Sequence, residues 1–311
     1  MSVPLAFLST ILIWSTTPLA IKWSSEGPGF MFAVTARMMI GAVGCLVLLL
    51  LMRGRLYWHK AAVTTYLAAG LGIYGAMSCV YWGAQFVPSG LVSVIFGLTP
   101  LVTGLMAGYW LGEQALTSFR LLGLVSALFG LVLIFGNGIH AGHAAVMGML
   151  SVFGAVVLHS LSTVWVKRIG AGLPVMTVAT GGLVTALPFY IISWGLVDGR
   201  LPTAIPDRAL LSIIYLGLFG SVMGYILFYY VLKHAQASRV GLIPLVTPVS
   251  AMAIGSLING EAIPAVVWSG TGMILLGMSV YQWGHMLFRI RIPAAFMRKD
   301  CAEPESESNS S

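Results

Sequence analysis

Ten separate runs of apolar residues, each about 18 to 24 residues long, constrain this chain more than any other feature. A run of that length crosses a hydrocarbon core of ~30 Å at about 1.5 Å per helical residue. The runs span residues 4–22, 31–52, 62–83, 89–111, 119–136, 146–166, 174–197, 209–232, 239–259 and 265–288. Their connections are too short to hold a separate soluble domain. Charge supports the same conclusion: 8% of the 311 residues are charged and 58% are hydrophobic, with a mean hydropathy of +0.94. A soluble domain carries about 25% charged residues, so an aqueous fold is excluded and lipid must cover much of the surface. The expected fold class is an all-α membrane protein of ten transmembrane helices.

The first run lacks a basic leading segment, and it is expected to be a retained helix rather than a cleaved signal peptide. With the N-terminus on the cytoplasmic side, inside loops hold twelve of the sixteen Lys and Arg, outside loops hold Lys22, Arg200 and Arg208, and Arg37 lies within the second run. That bias predicts both termini in the cytoplasm. From Asp300 onward the chain reads DCAEPESESNSS, a polar low-complexity tail expected to be disordered. The segment from His285 to Lys299 is basic and apolar, as expected for a stretch lying on anionic lipid.

An internal repeat is legible. A shift of 148 residues places Tyr81 on Tyr229, Thr99-Pro100 on Thr247-Pro248, and Gly112-Glu113 on Gly260-Glu261. A shift of 145 places Trp14 on His159, Ser15 on Ser160 and Lys22 on Lys167. Five helices per half is an odd number, so the second copy must enter the membrane from the opposite face. The expected units are 1–138, the first repeat; 139–288, the second, inverted repeat; and 289–311, the basic segment and tail. Inverted repeats of this kind recur in secondary transporters, where two halves expose one central site alternately to either side.

At these residues the chain resembles the EamA-type transporters of the drug/metabolite transporter superfamily. The first run ends in IWSTTPLAIK, similar to the family's Trp-to-Lys pattern through Trp14 and Lys22. The second carries Arg37 in FAVTARMMIG, and the fourth and ninth pair Pro100 and Pro248 with a closing Gly-Glu. The resemblance implies a ten-helix exporter with peripheral fifth and tenth helices around a central cavity. It leaves amino acids, drugs, nucleosides and other metabolites open as substrates. His159 stands where the family's sixth helix often has Trp.

Arg37 lies about 10 Å from the outer end of its helix, and a charge at that depth costs roughly 2.5–3.5 kcal/mol on insertion scales. Two readings stand: binding of a substrate carboxylate or phosphate, or a structural tie to Glu26 or Glu261, or to the outer headgroups. His159 is either a proton acceptor or a neutral core residue. Tyr74 and Ser78 share a face of the third helix with Tyr81 and Trp82, and Tyr225 and Tyr229 share one on the eighth. They read either as a cavity wall with hydroxyl handles or as helix packing and interfacial belt. Pro100, Pro244 and Pro248 are hinge candidates, because each removes a backbone donor. Glu113 and Glu261 are candidate gate or helix-end elements.

No Asp or Glu falls inside a run: five lie in loops or at helix ends and four in the tail. This argues against an acid-lined cation site and favours neutral, zwitterionic or anionic substrates. The three cysteines stand apart without a CxxC pair and read as packing residues. No catalytic, metal or cofactor constellation is readable. The expected partners are a small-molecule substrate and the lipid bilayer, with no nucleic acid, and the expected assembly is a monomer or weak homodimer in a cell inner membrane. The expected activity is export of small metabolites such as amino acids. The competing classes are a membrane-embedded enzyme, for which His159 beside Ser160 is the only catalytic-type pair, and a non-transporting scaffold or sensor.

Overall fold

A computed structural model describes residues 3–112, 117–234 and 243–289. Their secondary structure is helical: α1 Val3–Ser24, α2 Phe30–Leu51, α3 Lys60–Gly83, α4 Ser89–Phe96, α5 Thr99–Leu111, α6 Ser118–Ala141, α7 His143–Ile169, α8 Val175–Val197 and α9 Asp207–Tyr215. A π-helical segment, Leu216–Met223, then leads into α10 Gly224–His234, followed by α11 Ile243–Asn259 and α12 Ala265–Arg289.

Eight stretches are long and apolar enough to cross a membrane, and Ala265–Tyr281 is a shorter apolar stretch. The chain is a multi-pass membrane protein. The ninth run, expected to begin at residue 239, is described only as the 17 residues of α11, because residues 235–242 lie outside the described part. Glu113 and everything from residue 290, hence most of the expected basic segment and tail, also lie outside it.

Two of the expected continuous helices are interrupted. The fourth run breaks at Gly97 and Leu98 into α4 and α5, with Pro100 in the first turn of α5, where a missing N–H breaks no intrahelical bond. The eighth is broken by no proline: eight π-helical residues separate α9 from α10. Helix α11 runs on through Pro248. Pro244 sits in its first turn, and its side chain lies outside the described part.

Packing follows small residues. Helix α3 lies between α7 and α8, α2 packs on α8 and the π segment, α4 on α11, and α1 on α9, α10 and α11. The side chain of Ser162 occupies the space a Cβ on Gly72 would need, and a Cβ on Gly70 would fall 2.9 Å from the Gly182 carbonyl. Helices α6 and α12 pair in the same way, since Cβ atoms at Gly130 and Gly277 would meet the carbonyls of Gly270 and Gly123 at 2.5 Å. Lipid offers no hydrophobic drive for helix association, so such close backbone contact supplies the dispersion energy instead. The outward faces carry large apolar side chains, among them Leu50, Leu51, Leu121, Leu122 and Val132.

Candidate functional site

Arg37 is 2% exposed and lines a cavity with Trp14, Pro18, Met77, Ser93, Phe96, His159, Tyr225 and Thr247. Its Nε donates to Ser221 Oγ at 3.0 Å, and Nη1 approaches Met77 Sδ at 4.0 Å, a weak acceptor. The Tyr81 ring centroid lies 5.9 Å from its Cζ. The two expected structural ties are absent: Glu26 pairs with Arg208, and Glu261 pairs with Lys22. Arg37 does not extend to the protein surface, since it is buried among α2, α3 and the π segment.

The π segment explains how a guanidinium is accommodated there. Gly217 lies against Ile40 and Gly41 against Ser221, each so close that a Cβ would come within 2.7 Å. A Cβ on Gly220 would stand 3.0 Å from Arg37 Nη2. The widened turn and its glycines therefore bring Ser221 to Arg37 and leave room for the planar side chain. Sequence reasoning missed this partner. The only signal available was the spacing of glycines in GLFGSVMG, which reads equally well as ordinary helix packing.

Four rings gather opposite. The Trp14 ring centroid lies 6.0 Å from His159 and 5.6 Å from Phe228, and His159 lies 5.2 Å from Phe228 and 6.3 Å from Phe96. The histidine sits edge-on to the indole. Beneath it, Thr103 Oγ1 donates to Ser160 Oγ at 2.9 Å and ties α5 to α7.

The remaining candidates separate. Tyr225 lines the central cavity, whereas Tyr229 lines a second one with Thr65, Lys167 and Lys233. A small void lined by Met77, His159, Tyr225 and Tyr229 shares residues with both. Tyr74 lines none of these cavities; its hydroxyl lies 2.6 Å from Ser193 Oγ, and its ring packs on Phe189 and Tyr190 of α8. Ser78 and Tyr81 are also outside the cavity walls, and their buried hydroxyls have no hydrogen-bond partner among the described residues.

The C-terminal ends of α1 and α11 meet the start of α4 in a polar knot. Gly260 adopts a left-handed φ of 62° after α11, a conformation that glycine takes without steric penalty. The chain turns back, so that the Glu261 N–H donates to the Gly255 carbonyl at 3.1 Å. The Glu261 carboxylate then accepts from Ser89 N–H and Ser89 Oγ, each at 2.9 Å, and from Lys22 Nζ and Asn259 Nδ2, each at 3.1 Å. Trp23 Nε1 donates to Asn259 Oδ1 at 2.9 Å and adds α1 a second time. Burial pushes the Glu261 carboxyl up, but the Ser89 N–H, the Ser89 hydroxyl and Lys22 outweigh it and hold the group below its ordinary 4.5. Ser89 and Asn259 were not legible as its partners, nor Trp23 as the donor to Asn259.

Comparison with known proteins adds a family and a fold. The profile of the EamA-like transporter family matches residues 1–136 and 146–281. An uncharacterized transporter, YoaV, of Bacillus subtilis strain 168 is 27% identical over 283 residues, which cover 89% of this chain and 95% of that one. A probable amino-acid metabolite efflux pump of Escherichia coli K12 is 23% identical, with 72% of this chain and 78% of that one covered. One crystal structure superposes with a TM-score of 0.69 at 19% identity, covering 94% of this chain and 99% of that chain. At that identity the likeness shows the fold alone.

Proposed function

From the premise that this chain belongs to the EamA-like transporter family, we propose that it is a secondary carrier that exports small metabolites by alternating access. The observation that carries this reading is a buried guanidinium that lines a cavity and has no acidic partner among the described residues, in a fold where a separate ion pair and hydrogen bonds tie α1, α4 and α11 together. Substrate docks at Arg37 between residues of both halves. Release follows when the Glu261 knot opens and the other end closes. The breaks in the fourth and eighth runs are the elements that rearrange, because neither has the full α-helical ladder there.

The reading includes ten spans in two inverted five-helix repeats, 1–138 and 139–288, with both termini cytoplasmic. It is supported by the register of the repeated motifs, by the inside bias of basic residues, and by the equal length, 136 residues, of the two stretches matched to the family. In this topology the Glu261 knot is the outer gate, and the cavity at Lys167 and Lys233 opens inward. The chain then acts in the inner membrane, on neutral, zwitterionic or anionic solutes, and performs no catalysis. The name of the Escherichia coli relative supports amino-acid metabolites as one class to test.

Counterflow of labelled amino acids and organic acids in proteoliposomes of the purified chain tests this directly. Solute-dependent flux that is lost in Arg37→Gln is the expected result. Absence of flux for every solute class in folded protein rejects the carrier reading.

A further inference from the structure

Within the carrier reading, we infer that the Arg37 site selects small monocarboxylates with an apolar body over the corresponding zwitterionic amino acids and over amines. Charge balance carries the inference. A guanidinium presents five N–H donors, and here Nε donates to Ser221 Oγ at 3.0 Å while the other nearby oxygens are neutral tyrosine hydroxyls, Tyr81 foremost. The thioether of Met77 at 4.0 Å is weak compensation. Among the described residues no Asp or Glu lines the cavity, the small void that shares residues with it, or the cavity at Lys167 and Lys233. A carboxylate fits the two Nη groups as a planar fork and makes the occupied site neutral.

An α-ammonium changes that balance. A zwitterion leaves the occupied cavity with one net positive charge, and an amine leaves it with two, in surroundings that replace water poorly. The ammonium would meet hydroxyls of Ser93, Tyr225 and Thr247 but no carboxylate. Hydrogen bonding without a counter-charge compensates a buried cation only in part. Elsewhere the wall is apolar at Trp14, Pro18, Val80, Val92 and Phe96, which suits a hydrocarbon body.

Size narrows the class further. The cavity has a volume of about 70 Å³. One water needs roughly 10–15 Å³ of such volume and takes up about 30 Å³ of liquid, so the space equals about five to seven waters, roughly 150–210 Å³ of liquid. This is the scale of a short branched acid rather than a peptide or a nucleotide. The approach is of one sign as well. Lys167 and Lys233 line the neighbouring cavity, and the small void beside Tyr225 and Tyr229 lies between them and Arg37. Aligned positive charge raises the local concentration of an anion and lowers that of a cation.

The matched set 4-methylpentanoate, leucine and 3-methylbutylamine isolates the ammonium and the carboxylate on nearly the same skeleton. Binding to the purified full chain in detergent, read by thermal unfolding midpoint and by quenching of tryptophan fluorescence, is the measurement. The acid is expected to bind at least about fivefold tighter than leucine, the lower bound for leaving one buried polar group poorly compensated, and the amine not at all. Arg37→Gln is expected to abolish acid binding. Arg37→Lys, which keeps the charge but loses the fork, is expected to weaken it while holding the fold, and it serves if the Gln variant does not fold. Leucine binding as tightly as the acid, no binding of the acid, or acid binding indifferent to both substitutions would overturn the inference. Arg37-dependent flux of another solute alongside any of those results would leave the carrier reading standing, so the two failures are distinguishable.

Discussion

Replacing Glu261 by Gln should unlatch one end of the cavity without unfolding the protein. The carboxylate accepts four hydrogen bonds, two of them from Ser89 and one from Lys22, with its side chain 5% exposed and that of Lys22 31% exposed. A Gln keeps one acceptor oxygen and turns a donor toward Ser89. The hydroxyl can rotate to accept, but the Ser89 N–H is left without a partner, worth about 2 kcal/mol. Loss of a partly exposed ion pair adds about 1 kcal/mol. A total of about 3 kcal/mol shifts the balance between latched and unlatched states by a factor of roughly 150. The assay places a cysteine at Ser93 in the cavity wall, in a background with Cys45, Cys79 and Cys301 removed. Labelling by a membrane-impermeant maleimide is then followed in right-side-out and inverted vesicles. The Gln variant should label much faster from the side on which Lys22 lies. The same end should open in the unsubstituted latch at acid pH. A carboxyl held below 4.5 in the latched state contributes stability that is complete above that value and lost as pH falls through the latched-state value. The Gln variant should show no such pH dependence. Equal labelling of both proteins from both sides, at neutral and acid pH, would refute the gate assignment.

Four other outcomes follow from the packing. Ser221→Ala removes the acceptor of Arg37 Nε, and the midpoint of thermal unfolding in detergent should fall by an amount equivalent to about 1–3 kcal/mol, with binding partly retained. Tyr74→Phe loses the bond to Ser193 and should cost about 1 kcal/mol of stability while leaving flux within twofold, because Tyr74 lies outside the cavity. Gly277→Leu drives a side chain into the Gly123 carbonyl and should destabilise the α6–α12 pair by about 3 kcal/mol or more, visible as early proteolysis of that pair. Glu26→Gln breaks an ion pair whose side chains are 42% and 55% exposed, and its unfolding midpoint should match the parent within about 0.5 kcal/mol.

Membrane class, the approximate limits of most apolar runs and the place of Arg37 inside a helix were legible in the amino-acid order, because hydrophobic length and charge placement are local properties that lipid reads directly. The Gly260-Glu261 turn was legible for a related reason: a left-handed helix stop is written in the glycine itself. Contacts between distant segments were not. Lys22 and Glu261 are 239 residues apart, Arg37 and Ser221 are 184 apart, and Tyr74 and Ser193 are 119 apart. The face sharing of Tyr74 and Ser78 with Tyr81 was a correct helical inference, yet that face packs against neighbouring helices and not around the cavity, since periodicity specifies a stripe and not what the stripe meets. The π segment was hidden as well, because its widened turn answers the close approach of α2 at Gly41 and Gly217, a demand that arises only when the two helices are side by side. What the sequence by itself determined is that the chain lives in lipid and carries one cation deep within it. Tertiary structure alone decided that none of the described acids comes to neutralise that cation and that Glu261 serves Ser89 and Lys22 instead, for partners are chosen by the packing of whole helices and not by spacing along the chain.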